Sequence, residues 1–157
     1  MKIKRNYLGQ IITGRKQFID ESYGYYDDDG NEHVNWRPED SIIDSDGFDK
    51  RNIEINGFYT QEILLPYGKL ICRYGNTRGR ITTDLDSAYE QLGLPYIKET
   101  VEYHTYRVIA DGLLVKCMVT RGRVAPMFNS TGGAVQYKHF QNIFKELEYN
   151  KLEEVFL

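Results

Sequence analysis

G-R-V-A-P-M-F-N-S-T-G-G-A-V-Q-Y, residues 122–137, sets the pattern for the chain. Val124 and Ala125 predict a short apolar strand ending in a corner at Pro126, Met127 and Phe128. A polar loop follows, with adjacent glycines at Gly132 and Gly133, before the chain turns apolar again toward Gln136 and Tyr137. Adjacent glycines permit positive φ and the close approach of a ligand or another segment. Gln136, at the mouth of that loop, both donates and accepts hydrogen bonds without carrying charge. Taken alone, this is a hairpin turn with a surface glutamine. Two upstream stretches change that reading.

The first is K-L-I-C-R-Y-G, residues 69–75, a strand whose end delivers Arg73 beside Gly75. A loop at 76–79 and R-I-T-T at 80–83 follow it. Next, Leu85, Ala88, Tyr89 and Leu92 recur at helical spacing, with Gly93 as a stop and Pro95 beyond, so a central helix is predicted from Asp84. The second stretch, Y-H-T-Y-R-V-I at 103–109, alternates as a strand does. Asp111 and Gly112 make a turn, and 113–119 reads as the return arm of a hairpin. Toward the end, Phe140, Ile143, Phe144 and Leu147 share one helical face, and Glu153, Glu154 and Val155 suggest a short edge strand. Thirteen tyrosines, few prolines and many alternating runs favour a β-rich domain over a helical bundle.

Residues 1–56 form a polar, turn-rich N-terminal segment with a short strand expected at 7–12; residues 57–157 carry the main domain. Asp44, Asp46 and Asp49 around Gly47 resemble a fragment of a calcium loop, but the terminal bidentate glutamate is missing. A solvated turn fits them better, and no metal is assigned. At 157 residues the chain suits one compact domain. Twenty basic against 23 acidic residues argue against a nucleic-acid backbone binder, though not against a nucleotide site. No apolar run approaches the roughly 18 residues that span a bilayer, so no membrane insertion is expected. The basic N-terminus lacks the apolar core of a Sec signal. Cys72 and Cys117 lie in apolar runs and read as buried free thiols, with one disulfide left open.

Set side by side, C-R-Y-G-N-T-R-G-R at 72–80, Y-H-T-Y-R-V at 103–108 and the 122–137 stretch resemble the TNT (tuberculosis necrotizing toxin) family of NAD⁺ glycohydrolases. The R-[FY]-G turn matches Arg73, Tyr74 and Gly75, and the Y-H-x-Y strand matches Tyr103 to Tyr106. G-x-[IV]-A-P-x-F matches the chain from Gly122 to Phe128, and G-G-x-x-Q-Y from Gly132 to Tyr137. None of these is specific alone; their joint order and spacing are. The resemblance implies an α+β fold of mainly antiparallel twisted sheets around a cleft, with a central and a C-terminal helix, as in ADP-ribosylating toxins. It implies Arg73, Gln136 and His104 as catalytic residues, and Tyr74, Gly75, Arg78, Arg80, Thr82, Gly132 and Gly133 as substrate-binding ones. It further implies NAD⁺, with NADP⁺ also open, as substrate without a separate cofactor, and a cognate immunity protein as partner. The implied setting is that of a secreted effector acting in a target-cell cytoplasm. This chain departs from the family in carrying Ile81 where a tyrosine is common and Leu92 where an arginine is common.

The chemistry suits such residues. Breaking the nicotinamide–ribose bond expels a neutral group from a cationic one through an oxocarbenium-like transition state. The protein must mainly pin the two halves of NAD⁺ and present a water. Arg73 would hold the pyrophosphate, Gln136 the nicotinamide ribose or the water, and Tyr74 would stack on a ring. His104 reads equally as a base or as a hydrogen-bonded histidine supporting the site. Glu90 reads as a solvated helix-face carboxylate, and His33 and His139 fit no ligand spacing. Two alternatives stay open. One is an ADP-ribosyltransferase, which would need an acidic residue that no Glu-x-Glu or Gln-x-Glu supplies here. The other is a catalytically weakened binding relative, favoured by Ile81 and Leu92.

Overall fold

The computed structural model describes residues 4–5, 11–12, 16–36, 41–54 and 56–157. Two short pairs come first: β1 (Lys4–Arg5) with β2 (Ile11–Ile12), and β3 (Gly24–Tyr26) with β4 (Glu32–Val34). The body is one seven-stranded sheet of β5 (Thr60–Leu64), β6 (Leu70–Tyr74), β7 (Ile81–Asp84), β8 (Tyr103–Val108), β9 (Met118–Arg123), β10 (Val135–His139) and β11 (Leu152–Val155). Its order is β11-β8-β6-β7-β10-β9-β5, and every pairing in it is antiparallel. The helix α1 (Ile143–Glu148) joins β10 to β11.

Strand alternation gives this sheet two unlike faces. On one, Ile71 lies opposite Tyr106 and Val108 opposite Leu152. With Val119, Val135 and Tyr137 they make a continuous apolar cluster. The helix closes over it. Asn142 caps α1 by accepting from the Lys145 amide at 2.9 Å, and Ile143, fully buried, enters the cluster. Burying such a side chain stabilises the fold by roughly 1.5–3 kcal/mol.

The other face carries a transverse row of small or slender residues. Thr105, Cys72, Thr83, Gln136, Gly122 and Thr60 stand opposite one another in register across six strands. The N-terminal segment packs on part of this row. Phe48 is almost wholly buried, and a Cβ on Gly122 would meet its Cδ1 at 2.5 Å, so only glycine admits the ring there. The Asp49 amide donates to the Arg123 carbonyl at 2.8 Å, and the Ala125 amide to the Gly47 carbonyl at 2.9 Å. Residues 41–49 are therefore a wall of the domain.

Several expectations are corrected. The sheet-rich fold with a C-terminal helix stands, but the central helix does not. The strand β7 runs through Asp84, whose carboxylate accepts from the Tyr137 hydroxyl at 2.6 Å and pairs with Lys69 at 3.1 Å. Ala88 is extended, and only a 3-10 turn at Tyr89–Gln91 remains. Sheet pairing and these side-chain anchors outweigh a four-residue helical pattern. The predicted hairpin of 103–109 with 113–119 is also absent. β8 pairs with β6 and β11, whereas β9 pairs with β5 and β10. The Asp111 carboxylate ties the amides of Leu113, Leu114 and Val115 into a local turn that crosses between distant strands. Both cysteines are buried and free. The edge strand at the C-terminus forms as β11. Of the strand expected at 7–12, residues 7–10 lie outside the described residues.

Candidate active site

β6 and β7 pair through only two registers, Ile71 with Asp84 and Cys72 with Thr83. Beyond them the strands diverge, and a cavity of about 250 Å³ opens at the fork. Cys72, Arg73 and Tyr74 line one side and Ile81, Thr82 and Thr83 the other, with Gln136 beside them. Leu92, Leu94, Tyr96, Ala125 and Met127 make the apolar walls. Lys16, Trp36, Asp46 and Gly47 complete it from the N-terminal segment. A second cavity, about 630 Å³, adjoins it through Trp36, Asp46, Gly47, Ile81 and Met127, and adds Arg80 and Lys138.

The floor is polar and buried, with Thr83 and Gln136 almost without exposure. Gln136 is buried on β10, not at the glycine loop; its Nε2 donates to the Asp46 carbonyl at 2.9 Å. Asp46 itself pairs with Lys138 at 2.9 Å. The three loop carboxylates do not converge as a calcium site would require. Asp44 accepts from the Asp46 and Phe48 amides, and Asp49 pairs with Arg51 at 3.0 Å.

Arg73 and Gln136 line one cavity, but they reach it differently. The register aligns Arg73 with His104, on the core side of the sheet, while Gln136 stands on the opposite face. The Arg73 guanidinium fills the fork, donating from Nε to the Asn76 carbonyl at 2.7 Å and from Nη1 to the Ile81 carbonyl at 3.0 Å. A Cβ on Gly79 would lie 2.0 Å from Nη2, and one on Gly75 2.8 Å, so both glycines make room for it. Burial pulls this guanidinium below its ordinary pKa. Arg73 thus fastens the 75–81 loop, and the free bidentate fork expected for a pyrophosphate is already engaged.

Tyr74 packs against the Tyr89 and Tyr103 rings, with centroids at 4.8 and 4.7 Å, and burial pushes its hydroxyl up to about 12. Thr82 contributes to the fork, but its hydroxyl bonds the His139 Nε2 at 2.8 Å. His104, Arg78, Gly132 and Gly133 line neither cavity. His104 sits between Glu154, at 2.6 Å from Nδ1, and Glu102, at 3.2 Å from Nε2, and lines neither cavity. Arg78 is exposed on the loop. Gly132 is packed against backbone atoms of residues 124–126, where a Cβ would come within 2.7 Å, and Gly133 faces open space. Gly132 and Gly133 shape the turn into β10, and neither lines the two cavities.

The sequence pattern described as tuberculosis necrotizing toxin (TNT) matches residues 64–155, more than half of the chain. The chain belongs to the TNT family. Among solved structures, that of tuberculosis necrotizing toxin complexed with its immunity factor IFT shares the fold: 18% identity and a TM-score of 0.55 over 96% of this chain and 75% of that one. Rhs1-CT in complex with its cognate immunity protein RhsI1 gives 20% identity and a TM-score of 0.44, covering 62% of this chain and 78% of that chain. Tse6 in complex with Tsi6 gives 19% and 0.42, with 62% and 72% covered. No curated protein matches the sequence. Among the described residues, no helix is long and apolar enough to cross a membrane.

The two positions where this TNT-family chain departs from the common pattern, Ile81 and Leu92, both line the inner cavity. Reading the sequence missed the contribution of Lys16, Trp36, Asp46 and Gly47, because they lie outside the matched stretch and reach the cavity only through tertiary packing. Lys138, two residues after Gln136, carried a usable signal: strand alternation puts both on one face.

Proposed function

We propose that this chain is an NAD⁺ glycohydrolase of the TNT family, hydrolysing the nicotinamide–ribose bond and depleting the NAD pool of a target cell. The observation that carries this is the pairing of an inner cavity, with the Gln136 amide on its floor and apolar walls, with an outer one lined by Arg80 and Lys138. The inner volume suits a nicotinamide and its ribose. The outer cavity carries Arg80 and Lys138 beside Asp44 and Asp46; Arg80 would meet the pyrophosphate, and Lys138 would join it on leaving Asp46.

In this arrangement Gln136 turns from the Asp46 carbonyl to the ribose or to the attacking water. Arg80 and Lys138 take the pyrophosphate role first expected of Arg73, which instead holds the fork open. Departure of nicotinamide needs little acid catalysis because it leaves neutral. Positioning supplies most of the effect. Such an enzyme would be neutralised by a cognate immunity protein, as tuberculosis necrotizing toxin is paired with its immunity factor IFT.

Incubating the purified chain with NAD⁺ and following free nicotinamide tests this directly. We expect release with no acceptor present, and a rise in KM of about tenfold or more for Arg80→Ala combined with Lys138→Ala. Release only in the presence of an acceptor protein would identify a transferase. That reading is disfavoured because the acidic residue lining the inner cavity, Asp46, is engaged by Lys138. A second reading, a nucleotide-binding relative without turnover, is favoured by Ile81 and Leu92 in the cavity wall. It predicts thermal stabilisation by NAD⁺ with no nicotinamide released.

A further inference from the structure

On the opposite side of the sheet, three potential metal ligands from different elements meet in the core. Cys117 immediately precedes β9, His139 ends β10, and Glu146 lies in α1; all three are fully buried. One ligand atom from each lies within 4.8 Å of the others, the one such trio found among the described residues. The His139 Nδ1 is 3.8 Å from the Cys117 Sγ and 3.6 Å from the Glu146 Oε1. A tetrahedral zinc ion, about 2.3 Å from sulfur and about 2.0 Å from nitrogen or oxygen, separates its ligands by about 3.3–3.6 Å. Small inward shifts bring these atoms to that spacing.

Two further observations point to an ion. Neither Glu146 carboxylate oxygen has a hydrogen-bond partner, although both are buried. The Lys151 Nζ stands off at 3.9 Å, beyond hydrogen-bond range. A buried carboxylate in that condition is costly unless a cation compensates it. The other ring nitrogen of His139 is held by the Thr82 hydroxyl at 2.8 Å. Such an outer partner fixes the ring and its tautomer, as is usual for metal-bound histidines.

We infer that Cys117, His139 and Glu146 bind a structural zinc ion that fastens α1 to the core face. One thiolate, one imidazole and one carboxylate suit zinc better than calcium or magnesium, which prefer oxygen alone. Three protein ligands leave the fourth position to a water. The three ligands line neither cavity of the proposed NAD⁺ chemistry, although Thr82, which orients His139, lines the inner one; zinc uptake is therefore read without activity. Its sequence spacing matches no common zinc motif, because the ligands meet only after the sheet has formed.

The full chain, unfolded in chelator and refolded with or without zinc chloride, tests this. We expect about one zinc per chain by elemental analysis and a melting temperature several degrees higher in the zinc-refolded sample. Cobalt chloride in place of zinc should give the near-ultraviolet absorption of a thiolate–cobalt bond, lost in Cys117→Ser. Glu146→Gln should weaken zinc binding more than about 100-fold, and Thr82→Val by about 10–100-fold. Equal melting temperatures of the wild-type chain with and without zinc would overturn the assignment, even if no variant folds. So would zinc uptake unchanged in both ligand variants.

Discussion

The two faces of the sheet are built from the same strands and do opposite things. The face under α1 is packed with apolar side chains, among them Ile71, Tyr106, Val108, Val119, Tyr137 and Leu152. The other face carries the row from Thr105 through Cys72, Thr83 and Gln136 to Gly122, and small side chains there leave a trench that the N-terminal segment only partly covers. Alternation with period two makes this division possible, since every second residue can be chosen for bulk and its neighbour for reach. A single strand such as β10 then places Tyr137 in the core and Gln136 in the cavity. The pair Arg73 and Gln136 spans both faces, which is why one of them organises a loop and the other is poised for a substrate.

Substitutions that touch one face alone put this division to the test. Ile143→Ala empties a fully buried site beneath α1 and should cost about 2–5 kcal/mol in urea unfolding; a loss below about 1 kcal/mol would mean that the helix is not held by this cluster. Arg73→Ala and Gln136→Ala should both lower nicotinamide release about tenfold or more. Arg73→Ala should lose more stability, about 1–3 kcal/mol, because two carbonyls, those of Asn76 and Ile81, lose their donor, where Gln136→Ala frees only that of Asp46. Equal stability losses in the two variants would erase the distinction drawn between them.

Acid should loosen the N-terminal segment before the sheet. The Asp49 carboxyl is held below its ordinary value chiefly by hydrogen bonds from the Arg51 side chain, and that of Glu54 by those from Arg121 and then Arg123. A lowered carboxylate stabilises the fold fully above its unfolded pKa, about 3.9–4.3, and the contribution is lost as pH falls through the lower folded value. The sole tryptophan, Trp36, packs edge-on against Phe128 in the segment these pairs help to anchor. Its fluorescence should change below about pH 4 while the far-ultraviolet signal of the sheet persists; a coincident change would show the segment and the sheet unfolding together. The smallest effect belongs to His104→Asn, which should leave nicotinamide release within about threefold, since the histidine contacts two surface carboxylates and neither cavity. A loss as large as that for Gln136 would return His104 to the chemistry.

The sequence by itself determined the family, the sheet-rich class, the C-terminal helix and the final edge strand. Each depends on local alternation or on ordered motifs that can be read within a few residues. It also marked Arg73 and Gln136 as residues of one site. Only the tertiary structure decided which strands pair, and so replaced the central helix by the end of β7 and separated β8 from β9. It also decided that His104 faces surface carboxylates, that Arg73 is engaged by backbone carbonyls, and that Trp36, Asp46 and Gly47 wall the cavity from a segment outside the motifs. The physical reason is common to all of these. Polar contacts such as His104 with Glu154, Gln136 with Asp46 and Lys138 with Asp46 join residues 50 to 92 positions apart, and side-chain chemistry along the chain does not encode that distance.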